Sequence, residues 1–174
     1  GGSAGGGKSY AMLADPLRFM GHPSFSGLLL RHTTEELREL IFKSQEMYPK
    51  IWPGIKWSER KMQWTAPSGA RLWMSYLDKE DDVLRYQGLA FSWIGFDELT
   101  QWPTPFAWNY MRSRLRSTAH DLPVYMRATT NPGGRGHHWV KKMFIDPAAH
   151  NKSFDATDIE TTEVLRYPAG HEKA

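Results

Sequence analysis

The chain has 174 residues, room for one ordinary domain with a core of its own. Hydrophobic residues make up 40% and charged residues 24%, a balance that excludes disorder, and zero cysteines exclude disulfide frameworks, thiolate metal sites and cysteine nucleophiles. The net charge of +3 is compatible with a nucleic-acid partner without being diagnostic, and no apolar run is long enough to span a membrane.

The first ten residues read GGSAGGGKSY, so the chain opens inside a glycine-rich loop with no apolar strand ahead of it. Loops of this kind normally follow a buried strand, and the expectation is a truncated N-terminus. Ser9 to about Met20 then places Met12, Leu13, Leu17 and Met20 at helical spacing, with a break expected at Asp15-Pro16. Ser26 to Arg31 holds a continuous apolar run bounded by Gly27 and polar residues, suited to a buried parallel strand. Thr34 is the expected N-cap of a helix with acidic residues in its first turn and Leu37, Leu40 and Ile41 facing inward.

Tyr48 to Trp57 holds two prolines and a glycine and predicts an irregular connection. Lys61 to Trp64 and Ala70 to Tyr76 flank Ala66-Pro67-Ser68-Gly69 and predict a hairpin. A short helix is expected near Lys79 to Tyr86. Strands are expected at Trp93 to Phe96 and Val124 to Thr129, each ending in polar residues. Between those strands, Pro103 to about Ser117 predicts a helix with Phe106, Tyr110 and Leu115 inward, and His138 to Ile145 predicts another amphipathic segment. Alternation of strands and helices, with polar residues at strand carboxyl ends, argues for an α/β fold around a parallel sheet. Asp146 to Ala174 is too weakly patterned to place.

Three stretches carry chemistry. Gly2-Ser3-Ala4-Gly5-Gly6-Gly7-Lys8-Ser9 meets the Walker A pattern at every specified position. In such a loop glycines turn backbone N–H groups onto phosphate oxygens, the lysine reaches the β- and γ-phosphates, and the serine hydroxyl binds Mg²⁺. A flexible linker ending in Lys-Ser would give the same letters.

The second stretch, Trp93-Ile94-Gly95-Phe96-Asp97-Glu98, is an apolar strand ending in two carboxylates. Successive strand residues point to opposite faces. Asp97 is therefore expected on the metal side, as a Walker B aspartate, and Glu98 as the general base that orients water. An Asp-Glu pair capping the turn before Leu99 is the bland reading. The third stretch, Ala128-Thr129-Thr130-Asn131-Pro132, ends the next apolar run, where a hydroxyl or amide would bond the γ-phosphate or attacking water; an ordinary Asn-Pro turn is its plain alternative.

In this order the three stretches resemble the ATPase domain of phage terminase large subunits, motors that package DNA into procapsids. The resemblance runs from Gly1 to about Ile145. Its most specific pieces are Arg85-Tyr86-Gln87-Gly88 ahead of the acidic strand, and Thr129-Thr130-Asn131-Pro132 followed by Gly136-His137-His138-Trp139-Val140-Lys141-Lys142. It implies a P-loop NTPase fold of the RecA-like, ASCE type, with a mainly parallel sheet flanked by helices and a β-hairpin insertion. It implies a P-loop ATPase domain over 1–145, with 146–174 as its C-terminal segment, a lid or linker. It further implies ATP and Mg²⁺ as ligands, with Lys8 and Ser9 on nucleotide and metal, Asp97 and Glu98 as the Walker B pair, and Thr129, Thr130 and Asn131 as the coupling motif.

Double-stranded DNA, a homo-oligomeric ring, a portal protein and a small terminase subunit are the implied partners, in the host cytoplasm and with no membrane. Two departures stand out. Ser3 and Ala4 occupy the region where many terminases carry an arginine, so charge compensation is expected in trans, from Arg85 ahead of Arg112, Arg114 or Arg116. The family's C-terminal nuclease domain has no counterpart in this length. A helicase-like or AAA-type NTPase and a nucleotide-binding module without turnover are the alternatives. His137-His138 has no partner carboxylate at ligand spacing and reads as loop and helix start rather than metal site. Trp52 and Trp57, beside Lys50, Lys56 and Arg60, read first as core and second as a DNA contact; Lys141-Lys142 is equally ambiguous.

Overall fold

The computed structural model describes residues 7–147; Gly2, Ser3, Ala4, Gly5 and Gly6 and nearly all of the 146–174 segment lie outside them. The elements in chain order are α1 (Lys8–Ala14), a 3-10 helix (Asp15–Phe19), β1 (Ser26–Arg31), α2 (Thr34–Ile51), β2 (Lys56–Ser58), β3 (Gln63–Thr65) and β4 (Arg71–Tyr76). A second 3-10 helix (Glu80–Tyr86), β5 (Trp93–Phe96), a third (Leu99–Gln101), α3 (Phe106–Arg112), β6 (Tyr125–Ala128) and α4 (His137–Phe144) complete the fold.

The strands form a single sheet in the order β2-β3-β4-β1-β5-β6. β4, β1, β5 and β6 run parallel, while β2 and β3 are antiparallel and extend one edge. β1 is buried on both faces because its centre is apolar: Leu29 joins one core with Met12, Leu13, Leu40 and Tyr48, and Leu28 and Leu30 join the other with Ile94, Phe96, Trp108 and Trp139. α1 and α2 cover the first face, and α3 and α4 the second. The mostly parallel sheet and the hairpin agree with the sequence reading.

Four local expectations are corrected. Thr33 rather than Thr34 caps α2, its hydroxyl accepting from the Glu36 N–H at 3.3 Å. The connection expected from Tyr48 is helical to Ile51, with Pro49 inside the last turn. That turn is held from outside: the Tyr48 hydroxyl donates to the Leu13 carbonyl at 2.8 Å, and Trp52 Nε1 to the Leu17 carbonyl at 2.9 Å. Residues 56–58 then form β2 rather than irregular chain. The helix expected over 103–117 shrinks to Phe106–Arg112; Phe106 faces solvent, and Ala107, Trp108 and Met111 do the packing instead.

Candidate functional site

Arg31, Asp97 and Thr129 each follow the last apolar residues of neighbouring parallel strands. The β1–β5 register pairs Leu30 with Phe96, and the β5–β6 register pairs Phe96 with Ala128. The ladders run one step past the strands, with the Asp97 N–H on the Leu30 carbonyl and the Thr129 N–H on the Phe96 carbonyl, both at 3.0 Å. Three polar side chains therefore stand side by side at the carboxyl edge of the sheet, where ligands of open α/β sheets bind.

α1 brings its first residues, Lys8 and Ser9, to the same place. Gly7 adopts φ 71° as its N-cap, a left-handed conformation that glycine takes without a Cβ penalty. The Ser9 hydroxyl then donates to Asp97 Oδ2 at 3.3 Å. The approach depends on Gly95 in β5: a Cβ there would meet the Trp93 ring and lie 2.8 Å from Met12 Sδ on the buried side of α1.

The carboxylates do not alternate between faces as the strand pattern predicted. β5 ends at Phe96, and Glu98 takes φ 60° and ψ 54°, so its side chain turns to the same side as that of Asp97. Both reach one guanidinium: Arg31 Nε lies 2.9 Å from Asp97 Oδ2, and Arg31 NH1 lies 3.4 Å from Glu98 Oε2. Arg31 is 4% exposed and Asp97 1%. Arg31 Nε has no aligned hydrogen bond, so its attraction to Asp97 is a charge contact. Glu36, in the first turn of α2, stands 3.9 Å from the same NH1.

The sequence reading gave neither Arg31 nor Glu36 a role in the site. The available signal was an arginine directly after the apolar run Leu28-Leu29-Leu30 of a buried strand, since a buried cation needs partners.

The stretch after β6 holds the other side of the carboxylates. The Thr129 hydroxyl bonds Asp97 Oδ1 and accepts the Glu98 N–H at 2.9 Å, while Asn131 Nδ2 donates to Glu98 Oε1 at 3.0 Å. Thr130 sits between them and makes none of these bonds. The same loop is locked to the chain after β5, with Trp139 Nε1 on the Trp102 carbonyl at 2.9 Å and Gly136 so close to that carbonyl that a Cβ would collide with it.

Arg85 lies elsewhere: NH2 is 3.2 Å from Asp82 Oδ1, Nε donates to the Asp82 carbonyl at 3.0 Å, and the guanidinium stands over the Tyr76 ring. A cleft of about 300 Å³, lined by His32, Lys79, Glu80 and Arg135 among others, begins one residue beyond Arg31, but Ser9, Asp97 and Glu98 do not line it.

The donor set suits a divalent cation held jointly with phosphates. Among the described residues no cluster of three His, Asp or Glu residues encloses an ion. Mg²⁺ does not require one, since it usually takes one or two carboxylates and fills its remaining positions with phosphate oxygens and water. Adjacent oxygens around octahedral Mg²⁺ lie about 2.9 Å apart, and the Ser9 and Asp97 oxygens are already 3.3 Å apart.

A mostly parallel sheet, with a Lys-Ser helix start meeting paired carboxylates at its carboxyl edge, defines a RecA-like P-loop fold. Residues 1–169 match the family described as terminase large subunit, T4likevirus-type, N-terminal, and the chain belongs to it. No curated protein matches the chain. Among solved structures it is similar to the large terminase from a thermophilic bacteriophage in complex with ADP, with 21% identity, a TM-score of 0.61, and coverage of 83% of this chain and 35% of that one. The large terminase ATPase domain of Thermus phage P74-26 matches at 12% identity and TM-score 0.54, covering 84% of this chain and 64% of that one. The N-terminal domain of the DNA packaging ATPase from bacteriophage phi29 matches at 16% identity and TM-score 0.58, covering 99% and 89%. The chain thus spans about a third of the ADP-bound large terminase. Among the described residues no helix is long and apolar enough to cross a membrane.

Proposed function

We propose that the chain hydrolyses ATP as the motor domain of a terminase large subunit, driving double-stranded DNA into a procapsid. The observation that carries this reading is the contact between Ser9 and Asp97, which brings the end of the glycine-rich loop and the acidic strand end to one point. Family membership favours it over a helicase-like or AAA-type NTPase.

In this reading the backbone of residues 2–7 cradles the phosphates and Lys8 reaches the β/γ-phosphates. Ser9 and Asp97 hold Mg²⁺, which supplies charge neutralisation at the phosphates when bound. Glu98 orients the attacking water. Thr129 and Asn131 touch both carboxylates, so a change at the γ-phosphate reaches the loop after β6 through them; Thr130 completes that motif. Arg31 positions the carboxylate pair from the β1 side. Arg85, already turned away from its own site, serves a neighbouring copy in a homo-oligomeric ring. A portal protein and a small terminase subunit complete the machine, in the host cytoplasm.

The test compares ATP turnover by the protein carrying this chain with that of its Glu98→Gln form. Loss of a positioned general base is expected to lower kcat by about 10²–10⁴-fold while nucleotide still binds. Equal turnover would remove the catalytic assignment.

A further inference from the structure

Positive charge gathers in two stretches of the chain, 50–71 and 112–142, the second holding Arg112, Arg114, Arg116, Arg127, Arg135, Lys141 and Lys142 against Asp121. Residues 50–71 hold Lys50, Lys56, Arg60, Lys61 and Arg71 against the single acid Glu59, a net +4, so the remainder of a chain of net +3 carries −1. All five cations are exposed. None forms an ion pair among the described residues, though the Arg71 guanidinium stands over the Trp73 ring; in the second stretch Arg127 and Lys141 are paired with Asp15 and Asp146, while Arg112, Arg114, Arg116, Arg135 and Lys142 are not. Glu59 is turned toward Gln45, which donates to it at 3.4 Å.

The sheet aligns these charges. Lys56 pairs with Thr65 and Thr65 with Arg71, so the three side chains share one face across β2, β3 and β4. Arg60 and Lys61 sit in the turn joining β2 to β3. β2 is extended over Lys56–Ser58, and the turn closed by the Met62 N–H on the Glu59 carbonyl carries Arg60 and Lys61 at its end. A lone lysine on a three-residue edge strand is adequately explained as protection against edge pairing. Five cations without a carboxylate partner among the described residues, from the end of α2 to the start of β4, exceed that need.

The aromatic residues indicate which form of nucleic acid fits. Trp52 is bonded to the Leu17 carbonyl, and Trp57 packs on Trp64 with ring centroids 5.4 Å apart in the core below. No tryptophan of this segment is free to stack on an unpaired base, as a single-strand platform requires. We propose that the β2–β3 edge, through Lys56, Arg60, Lys61 and Arg71, binds the phosphate backbone of duplex DNA. This rests on the motor reading and names a DNA contact surface for it.

The test measures duplex DNA affinity against salt concentration for the protein carrying this chain and for Lys56→Gln/Arg60→Gln/Lys61→Gln, with Lys142→Gln on α4 as a control. Basal ATPase activity and oligomeric state are recorded for each. The triple variant is expected to bind at least about tenfold more weakly and to lose roughly one unit of log–log salt slope per substitution, with basal ATPase and assembly unchanged. Equal affinity and slope for both proteins would overturn the inference while leaving Glu98-dependent turnover, and so the motor reading, standing. Loss of assembly instead of DNA binding would mark the edge as a protein interface and overturn it too. Absence of duplex binding by the unsubstituted protein overturns the inference, and Glu98-dependent turnover then reports separately on the ATPase.

Discussion

Arg31 at the end of β1 and Asp97 at the end of β5 form a buried ion pair at 2.9 Å, and the same guanidinium reaches Glu98. The pair is the central charge arrangement of the site. Taking two ions out of water is costly, and removing one partner leaves the other uncompensated. Arg31→Met is therefore expected to destabilise the fold by about 3–5 kcal/mol, read as a shift in the urea midpoint at constant m-value. Arg31→Lys keeps the charge but loses the planar fork that spans two carboxylates, so stability should recover further than ATP turnover. Full recovery of both would contradict a positioning role.

Thr129 contributes a hydroxyl that no residue of similar shape replaces. Thr129→Val keeps the volume and removes the bonds to Asp97 and the Glu98 N–H. Leaving those groups unpaired is expected to cost about 1–3 kcal/mol, together with a fall in kcat larger than any rise in KM. An unchanged kcat would mean that the loop after β6 only caps the turn.

Gly95 sets how closely α1 lies on β5. Gly95→Val forces Met12 and Trp93 to move and is expected to cost about 1–3 kcal/mol through overpacking. Because Ser9 rides on α1, Mg²⁺-dependent nucleotide affinity should fall with it. Differential scanning calorimetry and nucleotide titration on the same sample check both halves.

How much of this was legible in sequence depends on how local the signal is. The Lys8-Ser9 helix start, the Asp97-Glu98 strand end and the Thr129–Asn131 stretch were visible because each is a short pattern with its own chemistry. Arg31 escaped because its two closest carboxylates, Asp97 and Glu98, lie 66 and 67 positions away in sequence, and only the β1–β5 register brings them together. The left-handed turn at Glu98 also defeated strand alternation, which holds only while the chain remains extended. Helical continuity through Pro49 depends on Tyr48 and Trp52 bonding to carbonyls of another helix pair, information no local window contains.

At the opposite end of the sheet, Asp15 accepts from Trp93 Nε1 and from the Tyr125 hydroxyl, each at 2.8 Å. Burial, reinforced by that bond to Asp15, pushes the Tyr125 phenol from its ordinary 10 up to about 12. The folded value exceeds the unfolded one, so the contribution of the neutral phenol is complete below about pH 10 and is lost as pH climbs through about 12. Tyr125→Phe should flatten the stability–pH curve in that window alone. An identical alkaline slope in the two proteins would contradict the assignment.

Convergence of Ser9 and Asp97 on one magnesium-bound nucleotide underlies every functional role assigned above, and a double-mutant cycle reads it directly. Mg²⁺-ATP affinity is measured by calorimetry for Ser9→Ala, Asp97→Asn and both together, with folding checked by circular dichroism. If the two side chains share one ion, each change alone weakens binding and the double variant is scarcely weaker than the worse single one, a coupling well above about 0.5 kcal/mol. Losses that simply multiply, as for independent sites, would contradict it.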